Sequence, residues 1–204
     1  MANTKTAAKN DIDAKTLEYC VKAAKLFAAK GYSNCGVEEL AKQLGLSKGG
    51  FYWHFKSKEE LYGRICMVMC RHHQDKFRKL LDQEVLSYEN VIAVSVEILE
   101  NMIKDIMQIK LIADFHSESK RLDIIRGELL KLDREWEKIL VELSERLRVS
   151  VGFEHRFSAK QAARQCIVFF NGLLFHFNIY QDRESVIREW KTFLQGLFPQ
   201  SEPL

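Results

Sequence analysis

Helix-breaking residues are scarce in this chain of 204 residues. It has two prolines, Pro199 and Pro203, both close to its end, and ten thinly spread glycines. No run of residues alternates between apolar and polar, as a half-buried β-strand would. Because glycine and proline interrupt helices and alternation marks strands, the sequence predicts an all-α protein.

Long apolar runs are also missing. The longest near-continuous one, residues 166–177, is shorter than the ~20 residues that span a bilayer, and it contains Asn171 and His176. The first ten residues are polar and lack the apolar centre of a signal peptide. Five irregularly spaced cysteines are typical of reduced, mostly buried thiols. We therefore expect a cytoplasmic protein without a membrane partner.

Common enzyme motifs are absent from the sequence. It contains no G-x-S-x-G, no phosphate-binding loop and no H-E-x-x-H. His116 lies near Asp114 and Glu118, and we interpret this cluster as part of a surface turn. We expect no catalytic residues, no cofactor and no resident metal.

Charge is distributed unevenly, although the net charge is only +3. Residues 1–80 contain 15 Lys and Arg against 8 Asp and Glu, whereas residues 81–204 contain 16 against 20. A basic first third on an acidic body indicates that the first third meets a polyanion. Solvated, lysine-rich helix faces would give the same count, so charge alone does not decide the matter.

Apolar residues at helical spacing predict the positions of the helices. Two Ser-x-x-Glu/Gln sequences, at 57–60 and 158–161, have the spacing of capping boxes and should each begin a helix. The predicted helices cover residues 12–30, 37–44, 48–55, 58–81, 88–116 with a bend near 107–111, 122–149, 158–180 and 183–198.

Residues 37–60 have the pattern of a helix-turn-helix, with Gly45 ending the first short helix and Ser47 capping the second. Free N–H groups at a helix start favour phosphate, and a lysine there can reach a phosphate or a guanine edge. An ordinary helical hairpin with aromatic residues at its edge is the alternative. The residues predicted to bind DNA are Val37, Ser47, Lys48, Gly49, Gly50, Tyr52, Trp53, His54 and Lys58.

Residues 12–61 resemble the DNA-binding domain of the TetR family of transcriptional repressors. The segments LFAAKGY (26–32) and VEELAKQLGLSKGGFYWHFKSKEEL (37–61) carry the resemblance. It implies that Lys48 and Gly49 open the recognition helix against DNA and that Lys58 holds the DNA backbone. The same resemblance implies that phosphate and sugar are contacted by Tyr52, Trp53 and His54.

Three positions depart from the family's pattern. Cys35 and Gly36 stand where Thr followed by Ser or Thr is usual, which removes the expected cap of the second helix. Gly50 replaces a Thr, Ser or Ala that contacts a base, and Trp53 replaces a His or Tyr. We expect fewer side chains for base reading than is usual in the family.

The last two helices are the predicted dimer interface, because one helix-turn-helix makes too few base contacts for specificity. The resemblance implies the same four-helix interface. Alternatively, these apolar stripes face only the subunit's own core. The stripes consist of Ile167, Phe170, Leu174, Phe177, Trp190, Phe193, Leu194 and Leu197.

The opposite face of the penultimate helix should line the interior, where Asn171 would need a polar partner. A filled core is the plain alternative to a ligand pocket there. Under the resemblance, an apolar or aromatic ligand would displace the helix at 58–81 and change the spacing of the recognition helices. The predicted ligand-binding residues are Met102, Ile106, Phe115, Trp136, Leu140, Val168, Asn171 and Phe175.

The sequence thus predicts a disordered tail over 1–11, a DNA-binding domain over 12–57 and a ligand-binding and dimerisation domain over 58–204. The predicted function is that of a homodimeric repressor, bound to a palindromic double-stranded DNA operator and released by a small-molecule effector. Two alternatives remain open at this point. One is a redox- or metal-responsive regulator acting through Cys66 and Cys70, with His72 and His73 after them, and the other is an architectural DNA-binding protein without a ligand.

Overall fold

The computed structural model describes residues 13–151 and 157–199, and that part of the chain contains nine helices and no strand. An N-terminal three-helix domain precedes a larger helical body, which confirms the predicted all-α fold. The tail predicted over 1–11 and most of the break predicted over 149–157 lie outside the described residues. The helices are α1 (Ala14–Lys30), α2 (Val37–Leu44), α3 (Lys48–His54), α4 (Lys58–Leu81), α5 (Tyr88–Lys104), α6 (Ile106–Glu118), α7 (Asp123–Val151), α8 (Ala159–Tyr180) and α9 (Arg183–Leu197).

None of the helices in the described ranges combines the length and the apolar composition that a membrane crossing needs.

The predicted capping boxes differ from each other. At α8, the Ser158 hydroxyl accepts from the Gln161 N–H at 3.2 Å and Gln161 Oε1 accepts from the Ser158 N–H at 2.9 Å, so this box is complete. At α4, Ser57 accepts from the Glu60 N–H at 3.2 Å. The Glu60 carboxylate accepts from the N–H of Lys56 instead of that of Ser57, so the second half of the box is missing.

Helices α5 and α6 are separated at Asp105, two residues before the predicted bend. The Asp105 carboxylate accepts from the N–H groups of Met107 and Gln108 at 3.0 and 3.3 Å, and it thereby caps α6. The predicted position was wrong because an aspartate can be part of a helix or cap one, and no glycine or proline marks the site.

Two apolar cores hold the molecule together. The first lies among α1–α4 and extends into α6 and α7, where Leu111, Phe115 and Ile125 are buried against it. The second lies among α4 to α9. Three helices, α4, α6 and α7, contribute to both cores and therefore connect the N-terminal domain to the body.

Helix α6 makes polar contacts with the N-terminal domain. The Asp114 carboxylate accepts from the Tyr32 N–H at 3.1 Å, and Glu118 accepts from the Ser33 hydroxyl at 3.5 Å. Arg121 donates to both Ser33 and Glu118. The interpretation of Asp114 and Glu118 as a surface turn was therefore wrong: both are helical and face the loop between α1 and α2.

Candidate DNA-binding surface and ligand cavity

A left-handed glycine sets the angle between α2 and α3. Gly45 has φ 74° and ψ 30°, and its N–H donates to the carbonyl groups of Ala41 and Lys42. The Leu46 N–H also donates to the Ala41 carbonyl, at 2.8 Å. Glycine is the residue that adopts this conformation at least cost, so the turn follows directly from the sequence.

Helix α3 buries one side and exposes the other. Phe51, within α3, and Phe55, its C-cap, are fully buried in the first core, as the sequence predicts. Tyr52 points outward, and Trp53 is 82% exposed. An indole of that size left in water is typical of a surface that contacts a partner.

Lys48, the first residue of α3, is paired with Glu38 of α2. Their Nζ and Oε1 atoms lie 2.9 Å apart, and both side chains are largely exposed. This hydrogen bond raises the pKa of Lys48 and lowers that of Glu38. A phosphate could bind Lys48 only by replacing this carboxylate.

Ser47 caps the start of α3 and holds the glycines that follow Lys48 in the first turn. The Ser47 hydroxyl accepts from the Gly50 N–H at 3.0 Å. Gly49 is exposed and Gly50 is half-buried. Val37 begins α2 and packs partly against the first core.

Lys58 differs from its predicted role. Its ammonium group donates to the carbonyl oxygens of Tyr32 and Cys35, both at 3.0 Å, and it lies 3.9 Å from the centre of the Tyr32 ring. Two of its three donors thus hold the loop between α1 and α2. The lysine is directed inward because this loop presents its carbonyl groups to the start of α4.

His54 also faces inward. Its ring packs edge-on against Tyr19 of α1, with ring centres 4.8 Å apart, and lies 4.6 Å from the Trp53 ring.

Gly36 caps α2 without a side chain, and the neighbouring Cys35 thiol donates to the Gly31 carbonyl at 3.3 Å. Burial raises the pKa of that thiol, which keeps it protonated as a donor.

The body contains a cavity of about 460 Å³, within the range of about 300–1,000 Å³ typical of ligand pockets. Its lining comes from α4 to α9 and is mostly apolar. Five of the predicted ligand-binding residues line it, namely Met102, Phe115, Trp136, Leu140 and Asn171.

Three predicted ligand-binding residues do not line this cavity. Ile106 is 60% exposed, because the cap at Asp105 restarts the helix and changes its register. Val168 is 63% and Phe175 42% exposed. Apart from Asn171, the two faces of α8 are reversed relative to the prediction, since both faces are apolar and periodicity alone does not indicate which one is buried.

The predicted dimer stripes consequently lie in the subunit's own interior. Ile167, Phe170 and Leu174 line the cavity, and Phe177 belongs to the second core. Phe193 packs against that core, in which the other residues of the α9 stripe are buried: Trp190, Leu194 and Leu197.

Sequence reasoning missed the contribution of α4 to the cavity. Cys66, Cys70, His73 and Phe77 all line it. Their spacing of i, i+4, i+7 and i+11 puts them on one helix face. The available signal was the choice of thiol and imidazole, rather than Leu or Ile, along an inward stripe.

The thiols of Cys66 and Cys70 on α4 are the groups through which the alternative, a redox- or metal-responsive regulator, would act. Cys66 is buried and hydrogen-bonded to Cys70, and both effects raise its pKa well above the ordinary value. A thiol held in its protonated form is a poor nucleophile and a poor metal ligand. Across residues 13–151 and 157–199, no three His, Cys, Asp or Glu side chains could share a metal ion.

Comparison with known proteins agrees with this architecture. The family model "Bacterial regulatory proteins, tetR family" matches residues 21–65, which include the helix-turn-helix. The HTH-type transcriptional repressor DhaR of Mycobacterium sp. (strain GP1) is 25% identical over 190 residues, covering 89% of this chain and 91% of that protein.

Solved structures share the fold. The reduced form of E. coli NemR has a TM-score of 0.78 at 18% identity, covering 94% of this chain and all of that one. A complex of SmeT with triclosan has a TM-score of 0.76 at 19% identity, covering 94% and 99%. Residues 21–65 therefore form a DNA-binding domain of the kind found in the TetR family of transcriptional regulators, and the nine helices of the described residues share the fold of these solved structures.

Proposed function

We propose that the protein is a repressor that binds a palindromic DNA operator as a homodimer and is released from it by a small apolar or aromatic molecule. The operator contacts come from the exposed start and outer face of α3. Lys48, Tyr52 and Trp53 contact DNA directly, with Gly49 allowing a close approach of the backbone. Ser47, Val37 and Gly50 shape this surface.

The exposure of Trp53 on the same short helix as Lys48 is the observation that supports the DNA contact most strongly. A buried face holds α3 in place, so its outer face is presented as a rigid surface. Lys58 and His54 act indirectly in this proposal. Lys58 fixes the loop before α2, and His54 fixes the outward orientation of the Trp53 ring.

The exposed face of α8 supports the dimer. Val168, Phe175 and Ile179 are large apolar side chains on that face, and Gly172 lies among them at helical spacing. Apart from its two chain neighbours and the nearby backbone of α8, no heavy atom of the described residues lies within 4 Å of the position of a Cβ at Gly172. A partner helix can approach closely at such a point, and burial of the flanking side chains would drive association.

Release by a ligand is supported by the position of α4. Its first turn holds the loop between α1 and α2 through Lys58, and its middle lines the cavity through Cys66, Cys70 and His73. A ligand that prefers one arrangement of α4 would therefore shift the population of DNA-binding conformations.

We assign the DNA-binding domain to residues 12–57 and the ligand-binding and dimerisation domain to 58–204. The first core crosses this boundary, since Leu61, Tyr62 and Ile65 of α4 are buried in it. We further propose that the protein acts in the cytoplasm, where operator DNA and effector are both accessible.

Selection of bound DNA from a random pool, repeated at two salt concentrations, tests this function. We expect a palindromic site and an affinity that falls steeply with salt. Replacing Lys48 and Tyr52 together by Ala should weaken binding, whereas replacing Lys79 by Ala, near the far end of α4, should not. Unaltered binding by the double variant would refute the assignment of α3 as the operator-reading helix.

A further inference from the structure

Two side chains that line the cavity each have a buried polar atom without a hydrogen-bond partner among the described residues. These atoms are Trp190 Nε1 and His73 Nδ1. Both residues line the cavity and are at least nine-tenths buried, with exposures of 4% and 5%. Unsatisfied buried polar groups are uncommon in folded proteins, so each needs an explanation.

Trp190 is held in a fixed orientation. Its ring is stacked at 15° on Phe193 with centres 5.6 Å apart, and Phe170 packs against it edge-on at 5.3 Å. The indole nitrogen is a donor and not an acceptor. A complementary ligand therefore has to present a lone pair to it.

His73 on α4 adds a second polar position to the lining. Burial lowers its pKa, assisted by the nearby charges of His72 and Lys76, while a hydrogen bond to Gln108 raises it. The depressed pKa leaves the imidazole neutral near pH 7. The free Nδ1 then donates or accepts according to the tautomer.

Charged residues of the lining are satisfied by one another or exposed. Arg164 and Asp133 form an ion pair of 2.5 Å, with Glu137 3.8 Å from the same guanidinium nitrogen. Arg126 is exposed. Because the rest of the lining is largely apolar, a charged ligand would lose its hydration without a matched counter-charge.

We propose that the effector is an uncharged, mainly aromatic or aliphatic molecule whose carbonyl or similar oxygen accepts a hydrogen bond from Trp190 Nε1. His73 supplies a second polar contact. This inference rests on the proposed ligand-binding function of the cavity and adds the chemistry by which the ligand is recognised. It separates ketones, quinones and esters from hydrocarbons of the same shape and from carboxylates.

Benzophenone and 1,1-diphenylethylene provide a suitable pair of probes, because a C=CH₂ group replaces the C=O group with little change in shape. Their affinities for the full-length protein are measured by equilibrium dialysis. We expect benzophenone to bind at least about fivefold more tightly, the usual effect of one net hydrogen bond. Trp190→Phe should abolish this preference, whereas Trp136→Phe, a change of the same kind in the same cavity, should retain it.

The indole N–H resonance of Trp190 gives a second measurement that needs no variant. In ¹⁵N-labelled protein, benzophenone should shift it further downfield than 1,1-diphenylethylene does, because only the ketone accepts a hydrogen bond. Equal affinities of the two probes, or a preference that survives in Trp190→Phe, would overturn the inference while leaving the ligand cavity intact.

Three further outcomes distinguish a failure of this inference from a failure of the proposed function. Tighter binding of benzophenone-4-carboxylate than of benzophenone would refute an uncharged effector. Binding of neither neutral probe, by protein that still binds its selected operator, would remove the apolar-ligand cavity from the proposed function and this inference with it. If the protein without any added probe does not bind operator DNA, the DNA-binding proposal is refuted instead.

Discussion

The carboxylate of Asp114 on α6 accepts a hydrogen bond from the hydroxyl of Tyr62 on α4 at 2.6 Å. The same oxygen accepts from the Tyr32 N–H in the loop before α2, so one side chain joins three parts of the molecule. Burial and this hydrogen bond raise the pKa of Tyr62, which therefore remains a neutral donor. The next residue of α6, Phe115, lines the cavity and packs on the Tyr62 ring, with centres 4.5 Å apart. Two consecutive residues thus contact the ligand cavity and the DNA-binding domain.

Replacing Asp114 by Ala should destabilise the protein and weaken its response to ligand. The change leaves the Tyr62 hydroxyl and the Tyr32 N–H without their acceptor, which should lower the free energy of unfolding by about 1–3 kcal/mol. Chemical denaturation followed by circular dichroism measures this, and operator release by ligand is measured on the same variant. Asp75→Ala, which breaks only an exposed ion pair with Arg78, is the control and should change stability by less than about 0.5 kcal/mol. Equal stability of the two variants would contradict a structural role for Asp114.

Replacing Glu38 by Gln should increase operator affinity. The change frees Lys48 from its partner and removes a negative charge next to DNA, and a gain of about threefold is typical for one exposed pair. Fluorescence anisotropy with the selected operator measures the change, and Glu189→Gln on α9 provides the same change in net charge at a distance. Lys48→Ala should reduce the slope of log affinity against log salt by about one. A fall in affinity for Glu38→Gln would show that Glu38 assists operator binding.

Replacing Val168 by Asp should dissociate the proposed dimer. A carboxylate without a partner in a buried apolar interface costs several kcal/mol, so the dimer dissociation constant should rise by about 100-fold or more. Light scattering during gel filtration measures the mass of the particle, and the operator affinity of the variant should fall with it. Val85→Asp places the same charge at another exposed valine, outside α8, and should leave the dimer intact. If both variants remain dimers, the interface lies elsewhere.

His73 should make the protein less stable in mild acid. Its pKa is lowered in the folded state, chiefly by burial, so below the unfolded value of about 6.5 the unfolded chain binds a proton that the folded chain does not. Stability is then fully present above that pH and is lost as the pH falls from about 7 toward 5. In denaturation curves at several pH values, His73→Gln should lose less stability over this range than the unmodified protein. The exposed neighbour His72 serves as the control, and an equal effect of His72→Gln would contradict the assignment to His73.

Much of the fold follows from local signals. The limits of α2 and α4 match the prediction to the residue, because Gly45 and Ser57 mark their ends in ways that depend on few distant contacts. The separation of α5 from α6 was misplaced because Asp105 caps a helix in the middle of an otherwise continuous apolar pattern. Near Asp105 the chain contains no glycine or proline, the residues that usually mark the end of a helix.

The site was harder to predict where the outcome depends on neighbours in space. Helix α8 is apolar on both faces, so the sequence does not reveal that Leu174 lies inside and Val168 outside. The direction of Lys58 depends on loop carbonyls 23 and 26 residues earlier in the chain. The outward direction of Tyr52 and Trp53, by contrast, follows from the burial of Phe51 and Phe55 on the same short helix.

The two glycines that open α3 are not equivalent for redesigning which DNA sequence is read. A Cβ at position 50 would lie 3.3 Å from the Ser47 hydroxyl that caps the helix, whereas at position 49 the nearest contact is at 3.9 Å. A library that introduces new base-reading side chains should therefore vary Gly49 first, with Gly50 restricted to Ala or Ser. New operator preferences could then be selected without displacing the cap that holds α3, the proposed recognition helix.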